Sequence, residues 1–470
     1  MDEKKLGFGF KVGYSIGYVG MSTLLYIIFF MFFMYFMTDI VGISPIFAGT
    51  VSLIAVLWDG ISDPVVGYLS DKSKSKRGRR RPFMLTGSMI AAVSIVLLFT
   101  KVDFGSALQN AYYLVMAMVF WTALTMFDIP YNAFIAELTD SQSERTTIRS
   151  YIMFLAAAAV ALVLGLLNTS IEYFTELTSL PEKGWQITVA IIAVFGFILA
   201  SISWRVSRGR EKAFESEIPT ENPLVMIKDI FLTKPFKYLV SSSLLIGVIN
   251  SMLIGMLIYY YTYYLQFDGN QISLMFSIAA SAGVLWPVLI AFTCKRLNND
   301  YRVYMITVAI SGLSFLLFPI ILGVKTMAGV LVFVIVAQLC SAISLWIFGF
   351  TFAYENAELD AFLTGKDRTG GFVAYVSFAI KLGTAVGMWV IGLVLEMSGY
   401  IPGAAEQPVE VLNSIRNLVS LYPFTLYIIV FILLLLYPLK QKQYNTLKDL
   451  IAKKESGQEY SIDLLDKKLV

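Results

Sequence analysis

The chain reads as an all-α membrane protein with twelve transmembrane helices, and three observations carry that reading. Of its 470 residues, 57% are hydrophobic and 15% charged, with a mean hydropathy of +0.71. A soluble domain of this length presents far more polar surface, so most side chains must meet lipid or other buried helices. The apolar residues fall in stretches of the roughly 20 positions that a bilayer crossing needs. Basic residues gather on every second break between them.

The stretches lie near 12–37, 45–69, 82–100, 109–136, 149–171, 186–204, 238–266, 271–293, 303–324, 328–354, 371–397 and 417–439. Charged residues within Met1–Lys11 directly precede the first, without a small-residue cleavage site, so an uncleaved first helix is expected. The widest interior polar segment, 205–237, separates an N-terminal six-helix bundle (1–204) from a C-terminal one (238–440). Within it, Pro223–Leu232 has the pattern of an amphipathic surface helix. Residues 441–470 form a polar tail, expected to be a short cytoplasmic appendage. Val56-Leu57-Trp58 in the second span recurs as Val284-Leu285-Trp286 in the eighth, a faint echo of two related halves.

Orientation follows from lysine and arginine. The break after the second span holds Lys72, Lys74, Lys76, Arg77, Arg79, Arg80 and Arg81, whereas breaks on the opposite side offer Lys101, Lys183, Lys325 and Arg416. Both termini are therefore expected in the cytoplasm and the protein in the cell inner membrane. A net charge of +3 is too small to suggest a nucleic-acid partner. The two cysteines, Cys294 and Cys340, sit in apolar runs and read as small buried hydrophobes. No histidine occurs, which removes a histidine proton relay and the usual imidazole metal sites. No nucleophile elbow, phosphate loop or metal-ligand cluster is visible, so an enzyme is not expected, nor any cofactor.

An ionised side chain at mid-bilayer costs about 2.5–3.5 kcal/mol on insertion scales, so it needs a partner or a task. Three acids lie well inside spans: Asp59, Asp63 and Asp128. Asp59 and Asp63 are four apart, which puts both carboxylates on one helix face about 6 Å apart along the axis. Such a pair repels unless a cation or shared proton intervenes. Pro64 and Pro130 follow these acids and each removes a helical hydrogen bond, freeing the Gly60 and Met126 carbonyls. With the Thr125 hydroxyl one turn before Asp128, this is the all-oxygen surrounding that a hard cation prefers. Lys381 is the one basic residue deep in a span, and reads as a counter-charge that occupies the site when the cation is absent. A neutralised ion-pair network of Asp59, Asp63 and Lys381 is the plainer alternative. On the cytoplasmic side, Asp71 with Arg79, Arg80 and Arg81, and Glu355, Glu358 and Asp360 at the end of the tenth span, are expected as gating residues. They would lock neighbouring helices and loosen in turn.

The sequence resembles a known family at several motifs in order. Trp58-Asp59-Gly60-Ile61-Ser62-Asp63-Pro64, Gly67, Asp71 and Gly78-Arg79-Arg80-Arg81-Pro82-Phe83 are similar to the glycoside–pentoside–hexuronide:cation symporters. This is the melibiose-permease branch of the major facilitator superfamily. Asp128-Ile129-Pro130, Glu137-Leu138-Thr139-Asp140 with Glu144-Arg145-Thr146, Thr364-Gly365-Lys366 and Lys381-Leu382-Gly383 extend the match to the eleventh span. The resemblance implies the major facilitator fold, two six-helix bundles rocking about a central site. It also implies a sodium, lithium or proton site at Asp59, Asp63, Thr125 and Asp128, with Lys381 nearby.

The solute half of the resemblance is altered. Where galactoside-binding members carry an acid on the first helix, this chain is aligned with Tyr18. Asn132 replaces a tryptophan expected four residues after Asp128. The arginine expected on the fifth helix falls near Ile152, with Arg149 about one turn earlier. Trp346 matches a family tryptophan, and Ser377 stands where threonine is common. The substrate-binding set is thus read as Tyr18, Asp128, Asn132, Arg149, Trp346 and Ser377, while core or interface packing is the plainer reading for Tyr14, Tyr18 and Trp121. Expected partners are a small-molecule solute, a monovalent cation and the lipid bilayer, with the chain acting as a monomer. Cation-coupled symport of a sugar, glycoside or related solute is the leading reading. An amphipathic cargo such as a lysolipid is the second, and a non-transporting membrane sensor the third.

Overall fold

The computed structural model describes residues 6–73, 75, 78–139, 141–210, 233–283, 285–343, 348–466 and 469. The expected surface helix at Pro223–Leu232 lies outside them, as do Lys74, Lys76, Arg77, Asp140 and Trp346. Among the described residues all regular structure is helical. Ten helices are long and apolar enough to cross a membrane. The expected eighth span is described as α8 (Gly269–Gly283) and α9 (Leu285–Leu297), the tenth as α11 (Met327–Ile343) and α12 (Gly349–Thr364), each pair flanking undescribed positions.

The first compact unit comprises Met1–Ser216, Ile254–Val284 and Met388–Arg416. It contains α1 (Phe8–Phe33), α2 (Pro45–Lys72), α3 (Arg81–Leu98), α4 (Ser106–Leu138), α5 (Gln142–Thr178) and α6 (Pro181–Val206). It also takes the end of α7 (Phe236–Tyr264), α8 and the end of α13 (Thr369–Met397). Local sequence sets several starts. Ser44 caps α2 by accepting the Phe47 N–H at 3.4 Å, with Pro45 in the first turn, where no N–H is missed. α1 is interrupted by wider, π-type turns at Val19–Leu25 and Phe29–Phe33, in its aromatic-rich stretch.

With no hydrophobic drive between helices in lipid, close backbone approach and hydrogen bonds must hold them together. α1 crosses α6 at paired glycines: a Cβ on Gly20 would stand 2.4 Å from the Gly196 carbonyl, and one on Gly196 2.7 Å from the Gly20 carbonyl. α1 is fixed to α4 by a reciprocal tyrosine pair. The Tyr14 hydroxyl donates to the Tyr131 carbonyl at 2.7 Å and the Tyr131 hydroxyl to the Tyr14 carbonyl at 2.9 Å. Their rings stack at 4.5 Å and both are fully buried, so Tyr14 is a core residue as expected. Trp121, also buried, packs edge-on against Phe29 and Phe30.

The second unit comprises Glu217–Leu253, Leu285–Gly387 and Asn417–Val470. The start of α7 lies on α13 so closely that a Cβ on Gly383 would sit 2.0 Å from the Leu244 carbonyl. α9, α10 (Asp300–Ile321), α11, α12, α15 (Leu421–Leu436) and α16 (Gln441–Glu455) complete it, and α14 (Val409–Val419), most of which belongs to the first unit, precedes α15. The tail is more than an appendage. α16 buries Tyr444, Leu447 and Leu450, spaced for one helix face, and its Tyr444 hydroxyl donates to Glu358 at 2.9 Å. Gln441 accepts the Asp300 N–H at 3.0 Å, and Lys454 donates to the Phe362 carbonyl at 3.3 Å.

Gly87 tests this packing. Its Cβ would meet the Ala123 carbonyl, Met126 Cβ and the Phe127 nitrogen, each at 2.8 Å, whereas nothing lies within 4 Å of a Cβ on Gly9. Gly87→Ala is expected to cost about 1–3 kcal/mol by overpacking. The thermal melting of detergent-purified protein should fall for Gly87→Ala and stay unchanged for Gly9→Ala.

Candidate functional site

One stretch of α4 meets two helices with different chemistry. The Thr125 hydroxyl lies 2.7 Å from Asp59 Oδ1 and 3.0 Å from Asp63 Oδ1, both on α2. A hydroxyl has one proton, so it satisfies only one of these carboxylates at a time. The Ser62 hydroxyl is 3.5 Å from Thr125 and donates to the Asp59 carbonyl at 3.1 Å. Asp59 and Thr125 are each 3% exposed, so this charge sits in a medium where like-charge repulsion is weakly screened. The i, i+4 spacing on α2 and the Pro64 inside it thus deliver an all-oxygen cluster of two carboxylates and two hydroxyls. That donor set fits a hard monovalent cation or a proton. Among the described residues no three or more His, Cys, Asp or Glu side chains converge as a metal site.

Three residues along α4, Asp128 turns to α1 instead. Its Oδ1 accepts from the Ser22 hydroxyl at 2.7 Å and from Asn132 Nδ2 at 3.1 Å, and Asn132 also donates to the Asp128 carbonyl at 3.0 Å. Asp128, Tyr26 and Arg149 each lie within electrostatic reach of Tyr18. Asn132 and Arg149 are exposed. Of the residues read from the sequence as substrate-binding, Asn132 bonds Asp128, and Asp128 and Arg149 both act on Tyr18; Ser22 was not among them. Its signal was present: Ser22 is one turn beyond Tyr18, on the same helix face. Lys381 and Ser377 lie on α13 in the second unit.

The expected gating residues fall into separate networks. Arg79 and Arg80 both reach Glu137 Oε1, at 2.9 and 2.7 Å, and Arg80 bridges to Asp71 at 2.7 Å. Glu137 is 4% exposed and is the acid on which this network centres; sequence reading quoted it only within a motif. Arg81 is separate: it donates to the Trp204 carbonyl at 2.9 Å and stacks over its ring at 4.7 Å. In the second unit, Asp360 pairs with Arg368 at 2.8 Å, both nearly buried, while Glu358 holds Tyr444 of the tail helix.

Glu355, beside them, is pushed up to about 8 from its usual 4.5, first by burial and then by the Asp300 charge; Glu358 adds to this and Lys448 opposes it. A carboxyl raised in the folded state binds its proton more tightly there than in the unfolded chain. Its contribution to stability is present below pH 4.5 and is lost as pH rises toward about 8. Thermal stability should therefore fall between these limits, and Glu355→Gln should flatten that slope in a melting series across pH.

Comparisons with known proteins agree with this architecture. A family model described as MFS/sugar transport protein matches residues 13–441. The chain is 26% identical to an uncharacterized symporter, YnaJ, of Bacillus subtilis (strain 168), over 98% of both chains. It is 24% identical to the putative glycoside/cation symporter YagG of Escherichia coli (strain K12), over 95% of both. It is also 24% identical to the sodium-dependent lysophosphatidylcholine symporter 1 of Xenopus tropicalis, over 91% of this chain and 87% of that protein. In fold it matches a bacterial homologue of the iron transporter ferroportin in an inward-facing state, at a TM-score of 0.65 and 14% identity, covering 92% of this chain and 99% of that one. With the model spanning nearly all of the described spans and the acidic motifs in place, the chain belongs to the MFS/sugar transport family, as a multi-pass membrane symporter of the glycoside–pentoside–hexuronide:cation type.

Proposed function

We propose that the protein is an inner-membrane symporter that couples uptake of a sugar, glycoside or related small organic solute to a monovalent cation, by alternating access. The observation that carries this is the double use of one turn of α4. Thr125 faces the carboxylate pair on α2, and Asp128, three residues on, faces Ser22 and Asn132. Asp59 and Asp63 are close enough in a weakly screened medium for their charges to repel, and both reach the same Thr125 hydroxyl. A sodium ion, lithium ion or proton relieves that repulsion and draws α2 toward α4. A solute hydroxyl replacing Ser22 or Asn132 at Asp128 acts on the same turn, so occupancy at either place biases the other. That is a coupling free energy with a stated carrier. The termini are cytoplasmic in this reading, on the evidence of the lysines and arginines.

A second reading keeps the coupling and changes the cargo to a lysolipid. It is favoured by the relative named as a lysophosphatidylcholine symporter, which is as similar as the glycoside one. Purified protein in vesicles, given glycosides and lysolipids in turn under imposed sodium or pH gradients, separates the two. Thr125→Val keeps the shape and removes the shared donor; the cation concentration for half-maximal uptake should rise about tenfold, as expected for loss of a charge-assisted hydrogen bond. Asp59→Cys and Asp63→Cys should abolish accumulation. Accumulation against a gradient by both cysteine variants, with unchanged cation dependence, would overturn the site.

A further inference from the structure

The far end of α1 carries a carboxylate that the transport chemistry above does not use. Asp39 lies just beyond α1, in a helical turn that Gly42 ends by taking a left-handed conformation. Its Oδ1 accepts from the hydroxyls of Tyr263 and Tyr400, the latter at 2.6 Å, and from the Gly403 N–H at 3.4 Å. Its Oδ2 lies 2.6 Å from the Thr38 hydroxyl, which is itself 2.8 Å from the Tyr259 hydroxyl. Tyr259 and Tyr263 are one turn apart at the end of α7, and Tyr400 and Gly403 follow α13. One carboxylate thereby gathers three chain segments that are remote in sequence, all within the first unit.

The surroundings suit a contact that is made and broken. The donors are neutral, so no countercharge welds the joint as in a buried ion pair. The rings of Tyr259, Tyr263 and Tyr400 meet edge to face at 5.8 and 5.9 Å, presenting smooth faces around the acid. A cavity of about 430 Å³ adjoins the cluster, lined among others by Tyr35, Asp39, Lys101, Glu182, Thr262 and Tyr263. Water entering it competes directly for the carboxylate once the hydroxyls part.

We propose that Asp39 is the acceptor of a releasable clasp holding together the far ends of α1, α7 and α13, and that releasing it opens the side of the protein opposite the termini. The clasp rests on the alternating-access reading for its role in transport, because that side must open once in each cycle. Several hydrogen bonds converge on one acceptor, so a single substitution removes them together and shifts the balance of closed and open forms.

The test reads conformation and needs no transported solute. A single cysteine is placed at Thr262, on the cavity wall, with Cys294 and Cys340 replaced by serine. Whole cells are then treated with a membrane-impermeant maleimide. Asp39→Ala should speed labelling about tenfold, and Tyr400→Phe, which keeps the ring, should speed it by a smaller factor. If Asp39→Ala does not yield monodisperse protein, Tyr400→Phe and Tyr263→Phe decide. Labelling within about twofold of the parent in every folded variant overturns the clasp. Faster labelling in the variants, with parent labelling unmoved by sodium or any solute in the panel, leaves the clasp standing and counts against alternating access instead.

Discussion

Burying negative charge in hydrocarbon is the constraint around which the first unit is organised. Asp59 and Asp63 both reach the one Thr125 hydroxyl, and the four-residue spacing on α2 is what brings them to it together. Pro64 and Pro130 lie inside α2 and α4 beside the acids, and each lacks the N–H that a helix interior would otherwise use. Close crossings then hold the parts in place: Gly87 lets α3 lie against α4 at Ala123–Phe127, the stretch that carries Thr125. The same α4 turn bears Asp128, which ties it to α1 through Ser22. A buried acidic cluster is thus held in place by close helix crossings.

Much of this could be read from the residues alone. Hydropathy and spacing gave ten of the twelve expected spans as long apolar helices among the described residues, because a membrane forces a span to be long, apolar and helical. The carboxylate cluster was legible because charge inside a span is conspicuous and a helix puts i and i+4 together. The solute side was less so. Ser22 is an unremarked hydroxyl in an aromatic-rich helix, and serine inside a span carries no penalty large enough to single it out. Glu137 was hidden differently: it stands at a helix end where acids are common, and only the fold brings Arg79 and Arg80 to it. Asp39 was passed over as a residue just outside a span, since the partners that bury it come more than 200 positions later.

The acidic residues near the end of α12 illustrate how family-level expectation and local chemistry divide. Glu355, Glu358 and Asp360 sit within six positions, yet each has a different circumstance. Asp360 is neutralised by a two-pronged Arg368 pair, Glu358 accepts from a tyrosine, and Glu355 is buried near other acids, which pushes its carboxyl above the usual range. A charge pattern in sequence therefore predicts that acids are present, while burial decides which of them carry charge at neutral pH.

The docking of α16 bears on how the molecule is made. Tyr444, Leu447 and Leu450 cover surface belonging to α12 and the start of α10, which are synthesised well before them. That end of the second unit therefore stays unfinished until α16 has emerged from the ribosome, and a nascent protein stalled ahead of this helix would be inserted but incompletely sealed.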